Sequence, residues 1–330
     1  MKAILLDGFG GPERMQLGDA PDPRPAPGEV LIRVAATSVN RPDIVQREGH
    51  YPPPPGAPEI LGLECSGTIE GLGAGVSGFT RGQRVAALLS GGGYAELAAV
   101  DARHVIPLPD STSFEEGACL CEAYITAYMN LFLNARLADG ETVLLHGGGG
   151  GVTTAAMQIV RALAPASRMI VTASRSKLER VAALGAEPAV DYREEDFVDA
   201  VRRATGDRGA DVILDHIGGP YLERNLRALA VGGRLALIGT MGGRKAEIDL
   251  GRLLVKRQEI IGSVLRPRSA EEKASIIARF RDAVMPLVAE RRIVPIVDRI
   301  YPLGSAADAH RRMERGEHFG KIVLSTGWTG

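Results

Sequence analysis

"ETVLLHGGGGGVTTAAMQIV", residues 141–160, decides the fold. The run Thr142–His146 is apolar enough for a strand, Thr153–Ala164 has the spacing of a helix, and the glycines Gly147–Gly151 lie between them. Glycine suits a loop whose backbone must come close to a ligand, because a Cβ would block the approach and some positions need φ > 0. Strand, glycine turn and helix together form the place where a dinucleotide-binding fold receives a pyrophosphate. A merely flexible turn is the alternative, and the surrounding pattern argues against it. From about residue 122, short apolar runs ("TVLLHG", "RMIVTAS", "DVILDHIG", "GGRLALIG", "EIIGSVL") alternate with helical stretches such as "SKLERVAALGA" and "YLERNLRALAV". That alternation predicts βαβ units and a parallel sheet of about six strands between Thr142 and Leu265.

Upstream of about residue 120 the pattern is different. Short strand-like runs ("EVLIRVAATSV", "GTIEGLGAGV", "RVAALLS", "GGYAELAAV") are separated by Gly- and Pro-rich loops. This predicts a compact, mostly β domain with the character of a small barrel rather than a sandwich. After residue 265 come a charged helical stretch and the ending "GKIVLSTGW", a final strand expected to rejoin the first domain.

The 330 residues carry a net charge of −1, with 45 % apolar and 24 % charged residues, the balance of a globular protein. No basic footprint for nucleic acid or an acidic membrane surface exists, so neither is expected as a partner. No apolar run approaches the roughly 20 residues of a membrane span. The N-terminal apolar stretch is too short for a secretory leader. Three cysteines (Cys65, Cys119, Cys121) form no disulfide framework and fit a reducing, cytoplasmic setting. Cys119 and Cys121 lack a second pair for a structural zinc, so small buried side chains are expected there.

The end of the second strand of the parallel sheet indicates which dinucleotide. An NAD site wants an acid there for the ribose hydroxyl. This chain has Ser174-Arg175-Ser176-Lys177 and no acid before Glu179, a set suited to a 2′-phosphate. NADPH is the expected cofactor; a solvated start to the next helix is the alternative.

Several longer motifs resemble one family: "SVNRPDIVQREGHYPPPPG", "ILGLECSG", "EAYITAY", the glycine loop, "DYREEDF", "HIGG" and "GSVLRPRSAEEKA". They are similar to the zeta-crystallin-like quinone oxidoreductases of the medium-chain dehydrogenase/reductase superfamily, in the branch related to the tumour-suppressor-inducible enzyme. The resemblance covers the whole chain. It implies an α/β protein: a discontinuous GroES-like catalytic domain (1–121 and 266–330) and an inserted NADP(H)-binding Rossmann domain (122–265) with a doubly wound parallel sheet.

The resemblance also implies roles. Asn40, Asp43, Gln46 and Tyr51 would face the nicotinamide and substrate, with Asn40, Asp43 and Tyr51 in the catalytic set. Thr126 would touch the nicotinamide side. Gly147, Gly150, Gly151 and Val152 would hold the pyrophosphate, and Ser174, Arg175, Lys177 and Tyr192 the 2′-phosphate end. Ile217, Met241, Leu265 and Lys321 would line the rest of the groove. Alternatively, Asp43 caps a helix, Tyr51 packs a proline-rich loop, and Thr126 is an ordinary helix residue.

The family's loop usually reads Ala-x-x-Gly-x-x-Gly; here Gly147, Gly150 and Thr153 occupy those places, so the helix is expected to sit differently. Zinc-dependent relatives carry a Cys near "SVNRPD" and a Gly-His-Glu triplet, where this chain has Asn40 and Gly62-Leu63-Glu64. No metal is expected, and the six scattered histidines read as structural.

The implied function is zinc-independent hydride transfer from NADPH to a quinone, a small-molecule acceptor. An enone or enoyl-thioester reductase is the alternative, and a cofactor-binding structural or RNA-binding crystallin-like protein is the alternative of another class. Asn40 is expected to donate to the developing oxyanion, and Tyr51 or a water to supply the proton. A homodimer or dimer of dimers is expected, paired through the edge strand "EIIGSVL".

Overall fold

The computed structural model describes all 330 residues. The chain divides into two compact units: a discontinuous one, Met1–Ile125 with Arg266–Gly330, and an inserted one, Thr126–Leu265. No helix is long and apolar enough to cross a membrane.

The N-terminal part of the discontinuous unit supplies β1 (Lys2–Leu6), β2 (Met15–Asp19), β3 (Glu29–Val39), β4 (Glu64–Leu72), β5 (Arg84–Leu88), β6 (Leu97–Asp101) and β7 (Val105–Pro107). The inserted unit supplies β8 (Thr142–Leu145), β9 (Arg168–Ala173), β10 (Ala186–Asp191), β11 (Ala210–Asp215), β12 (Leu229–Leu237) and β13 (Glu259–Gly262). The chain then returns to the first unit with β14 (Val297–Pro302) and β15 (Lys321–Ser325).

In the discontinuous unit one sheet runs β14-β15-β3-β4-β5-β7, with β6 also paired to β3, while β1 and β2 form a separate hairpin. The alternating apolar residues of β3 (Val30, Ile32, Val34) meet Cys65, Ile69, Val85 and Val100 in one core. The long β3 is the organising strand, because β15 pairs with its far end in the register Ile322↔Val39. That register sets Lys321 beside the loop that follows Val39.

The inserted unit is a six-stranded sheet, β10-β9-β8-β11-β12-β13, parallel throughout. Its order is the doubly wound 3-2-1-4-5-6, and its topological switch point lies between β8 and β11. All four residues of β8 are buried, as expected of a strand covered on both faces. The helix Gly151–Leu163 buries Ala155, Ala156, Met157, Ile159 and Val160. Its opposite end opens at the switch point.

Candidate functional site

At the switch point, the chain leaves β8 through His146 and turns at Gly147, whose φ of +69° is the left-handed conformation that favours glycine. A Cβ on Gly147 would strike the His216 ring at the end of β11. A Cβ on Gly148 would meet Val171 and Val181 at 2.9 Å. Gly150 is the N-cap of the following helix, which no side chain caps. No side chain therefore caps the first-turn N–H groups, those of Gly151 and Val152 among them, and a helix end of that kind suits an anion. Thr153 stands where a glycine is usual; it is buried and its hydroxyl donates to His146 O at 2.7 Å. A hydrogen bond to the preceding strand thus fastens the helix at that point.

The remaining predicted residues of this unit lie along the ends of the strands. Ser174 follows β9 directly, and the Tyr192 N–H bonds Ala173 O at 3.4 Å, so the two stand side by side. Arg175 and Tyr192 are exposed, Ser174 and Lys177 half-buried. Beyond β11, Met241 N–H bonds His216 O at 3.0 Å and Gly242 N–H bonds Ile217 O at 2.8 Å, which brings Ile217 and Met241 together. Met241 is 54 % exposed, whereas Leu265 is buried. Thr126 is half-buried, and its carbonyl accepts from Asn130 Nδ2 at 2.9 Å. His146 is structural: its ring bonds Thr172 Oγ1 at 3.0 Å and Asn225 Oδ1 at 2.8 Å, and burial drives its pKa down to about 3.

The discontinuous unit holds a different construction, a buried polar network around Asn40. Glu64, completely buried, forms an ion pair with Lys321 Nζ at 3.0 Å. It also accepts from Ser38 Oγ at 2.6 Å, from Asn40 Nδ2 at 2.9 Å and from the Glu122 N–H at 2.8 Å. Lys321 additionally donates to Val39 O at 3.2 Å and makes a short bond to Asn40 Oδ1. Asn40 Nδ2 reaches Ser38 O as well, at 3.4 Å. Both amide hydrogens and the amide oxygen of Asn40 are thus engaged inside the protein, which leaves no open donor for an oxyanion. Lys321, expected in the cofactor groove, lies beneath Asn40 and is buried.

Asp43 anchors the other side. Its carboxylate accepts from the Asn40 N–H at 2.8 Å, the Gly62 N–H at 3.1 Å and Tyr94 OH at 3.1 Å. It sits in the first turn of the helix Arg41–Arg47, so the capping alternative describes its bonds. Burial, partly offset by these N–H groups and by the Lys321 charge, pushes Asp43 up to about 6. Tyr94 OH also meets His310 Nε2 at 3.0 Å, and His310 Nδ1 faces Arg47 Nη1 at 3.2 Å. With Arg47 donating, His310 is neutral, and burial brings its pKa down to about 3. Gln46 is buried, with Nε2 on Glu59 O at 3.0 Å and Oε1 unpartnered.

Two acidic groups remain open. Tyr51 is half-buried beneath the Arg266 guanidinium, 5.2 Å from ring centroid to charge. Glu122 is half-buried in the π-helical turn Leu120–Tyr124. Burial first, and the Glu64 charge second, push its carboxyl up to about 8. Glu122 was missed among the candidate residues although it lies inside the motif "EAYITAY"; a carboxylate in an otherwise apolar stretch was the available signal. Tyr94 and His310 had no such signal. The three cysteines are free and buried, and burial pushes all three thiols up. No group of three His, Cys, Asp or Glu side chains converges as a metal site.

Comparison with known proteins gives these features a context. Residues 26–110 match the alcohol dehydrogenase GroES-like domain and residues 184–324 the zinc-binding dehydrogenase domain. The quinone oxidoreductase of Rattus norvegicus is 34 % identical over 98 % of this chain and 97 % of its own. The Escherichia coli quinone oxidoreductase complexed with NADPH superposes with a TM-score of 0.87 at 28 % identity, covering 98 % of this chain and 100 % of that one. The CurK enoyl reductase superposes with a TM-score of 0.87 at 26 % identity, covering 98 % of each chain. With a GroES-like unit carrying a buried polar network and a doubly wound unit carrying a glycine cradle, the chain is an oxidoreductase that belongs to the quinone oxidoreductase family of the medium-chain dehydrogenases/reductases.

Proposed function

We propose that this chain is a zinc-independent, NADPH-dependent reductase that delivers a hydride to a quinone. The observation that carries the reading is the end of β9, where Ser174, Arg175 and Lys177 follow the strand with no carboxylate among them. The NADPH complex of the Escherichia coli relative supports it. The cradle fits the cofactor's phosphates: uncapped N–H groups at a glycine turn are what a pyrophosphate needs. Gly151 and Val152 would hold the pyrophosphate, with Gly147 and Gly150 shaping the turn. Ser174, Arg175, Lys177 and Tyr192 would hold the 2′-phosphate end, and Thr126, Ile217, Met241 and Leu265 would line the groove. When bound, NADPH supplies the hydride; the chain supplies orientation and a proton.

Asn40, Asp43 and Lys321 act in this reading by positioning. Lys321 neutralises Glu64, so the carboxylate of the Gly-Leu-Glu triplet already has its cation and Leu63 offers no ligand; this supports zinc independence. The acceptor oxygen that gains negative charge takes its proton from Glu122, which retains one near neutral pH, with Tyr51 as the second donor. A homodimer is part of the proposal: β13 is the edge of its sheet, and Ile260, Val264, Leu254 and Val255 are exposed on and beside it. So is a cytoplasmic setting, consistent with free, buried thiols.

The CurK neighbour favours a second reading, hydride transfer to an enone or enoyl thioester. One assay separates the two: NADPH consumption by chelator-treated protein with an ortho-quinone, a para-quinone, a simple enone and an enoyl-CoA, with NADH in parallel. Quinone turnover that prefers NADPH and survives chelation upholds the proposal. A preference for the enone or thioester moves the chain to the second reading, and loss of turnover on chelation overturns zinc independence.

A further inference from the structure

Two buried cations of the discontinuous unit form no ion pair, although Glu122 acts on both from a distance. Arg266 is 4 % exposed and Lys273 6 % exposed. Both converge on Ser90. The Arg266 guanidinium donates from Nε and Nη2 to Ser90 O at 3.0 and 2.8 Å. Lys273 Nζ donates to Ser90 Oγ at 2.9 Å. Arg266 Nη1 is buried with no acceptor, and the neighbouring carboxylates Glu272 and Asp282 pair instead with Arg268 and Arg281. Buried charges are ordinarily paired, and an open guanidinium N–H away from water is costly. Ser90, a neutral partner, satisfies their hydrogen bonds in part and their charge not at all. The Tyr51 ring lies against Arg266, so the pair adjoins one of the two open acidic groups.

We infer that Arg266 and Lys273 form a docking point for a carboxylate carried by the acceptor, so that the preferred substrates are acidic quinones or enones. The inference rests on the reductase reading and narrows its substrate class. The open Nη1 of the guanidinium and the ammonium, on separate side chains, would each take one oxygen of a single carboxylate. Glu122 is the nearby acid that would oppose such a ligand, and its retained proton near neutral pH removes that repulsion.

The test compares a naphthoquinone bearing a propanoate side chain with its methyl ester, at saturating NADPH. The wild-type protein is expected to favour the acid in kcat/KM by on the order of 10- to 100-fold, the range of one or two charged hydrogen bonds. Arg266→Gln and Lys273→Met are each expected to bring that ratio towards one. Because the ratio compares two acceptors on the same variant, a general loss of folded protein cancels, and if one variant fails to fold the other still reports. An ester reduced as well as the acid by the wild type, or a ratio that survives both substitutions, overturns the inference. Should neither acceptor be reduced, the quinone reading fails, and calorimetric titration of the NADPH-loaded protein with the two compounds decides the docking point separately. Acid-selective binding lost in Arg266→Gln then upholds it; equal or absent binding of the acid overturns it.

Discussion

The glycine cradle of the inserted unit and the polar network of the discontinuous unit do related work with opposite materials. The cradle is contiguous, Gly147 to Val152, and presents backbone N–H groups on a stretch where five of the six residues lack a side chain. The network joins Asn40 to Glu64 across 24 residues and to Lys321 across 281, and is built around side chains held away from water. A backbone site is harmed by adding atoms, a side-chain network by removing them. The network's failures are also the more costly, since each loss leaves a buried charge without its partner.

The sharpest way to break this contrast is Lys321→Met. It strands the Glu64 carboxylate and is expected to cost about 3–5 kcal/mol of stability in chemical denaturation, with much of the loss recovered when Glu64→Gln is added. If the single substitution costs no more than a surface mutation, the network is not held by charge. Next comes Gly147→Ala, which adds a Cβ at a left-handed φ against His216. About 1–3 kcal/mol of backbone strain, with weaker NADPH binding in a fluorescence titration, is expected. Unchanged binding would show that the cradle is not the phosphate site.

Glu122 sharpens the comparison through pH. Burial raises its folded pKa to about 8 from the ordinary 4.5, so the folded state holds this proton longer than the unfolded one. The associated stability is fully present below about 4.5 and is lost as pH rises through about 8. Glu122→Gln is therefore expected to flatten the fall in stability across that window and, with no acid proton left to give, to lower turnover below about pH 8 to a level that no longer depends on pH. The smallest effect belongs to the rim of the cradle. Lys177→Ala is expected to raise the KM for NADPH by on the order of 2- to 5-fold, as for a charge near the surface, with little change for NADH. Equal effects on both cofactors would separate Lys177 from the 2′-phosphate.

How much was legible in the sequence follows the same division. The cradle could be read because strand, glycines and helix are neighbours in the chain, and the parallel sheet because alternating apolar runs and helices record it directly. Thr153 looked like a defect, since the sequence shows a missing glycine but not the hydroxyl bond to His146 that replaces its packing. Asn40 and Lys321 were singled out, but not their bonding: nothing local says that Asn40 spends both amide hydrogens inward, or that Lys321 lies beneath it. That depends on the register of β15 against β3, a pairing between the two ends of the chain. His310 joins Tyr94 and Arg47 for the same reason, through contacts that no spacing in the sequence announces.

The burial of the thiols bears on the proposed quinone acceptor. Quinones are electrophiles, and a thiolate adds to their ring carbon as readily as a hydride does. Cys65, Cys119 and Cys121 are all buried, and their raised pKa values keep the sulfur protonated, the form that does not add. A quinone that arylates exposed cysteines elsewhere would find no accessible thiolate here, so the packing of this chain would spare it covalent inactivation by such an acceptor.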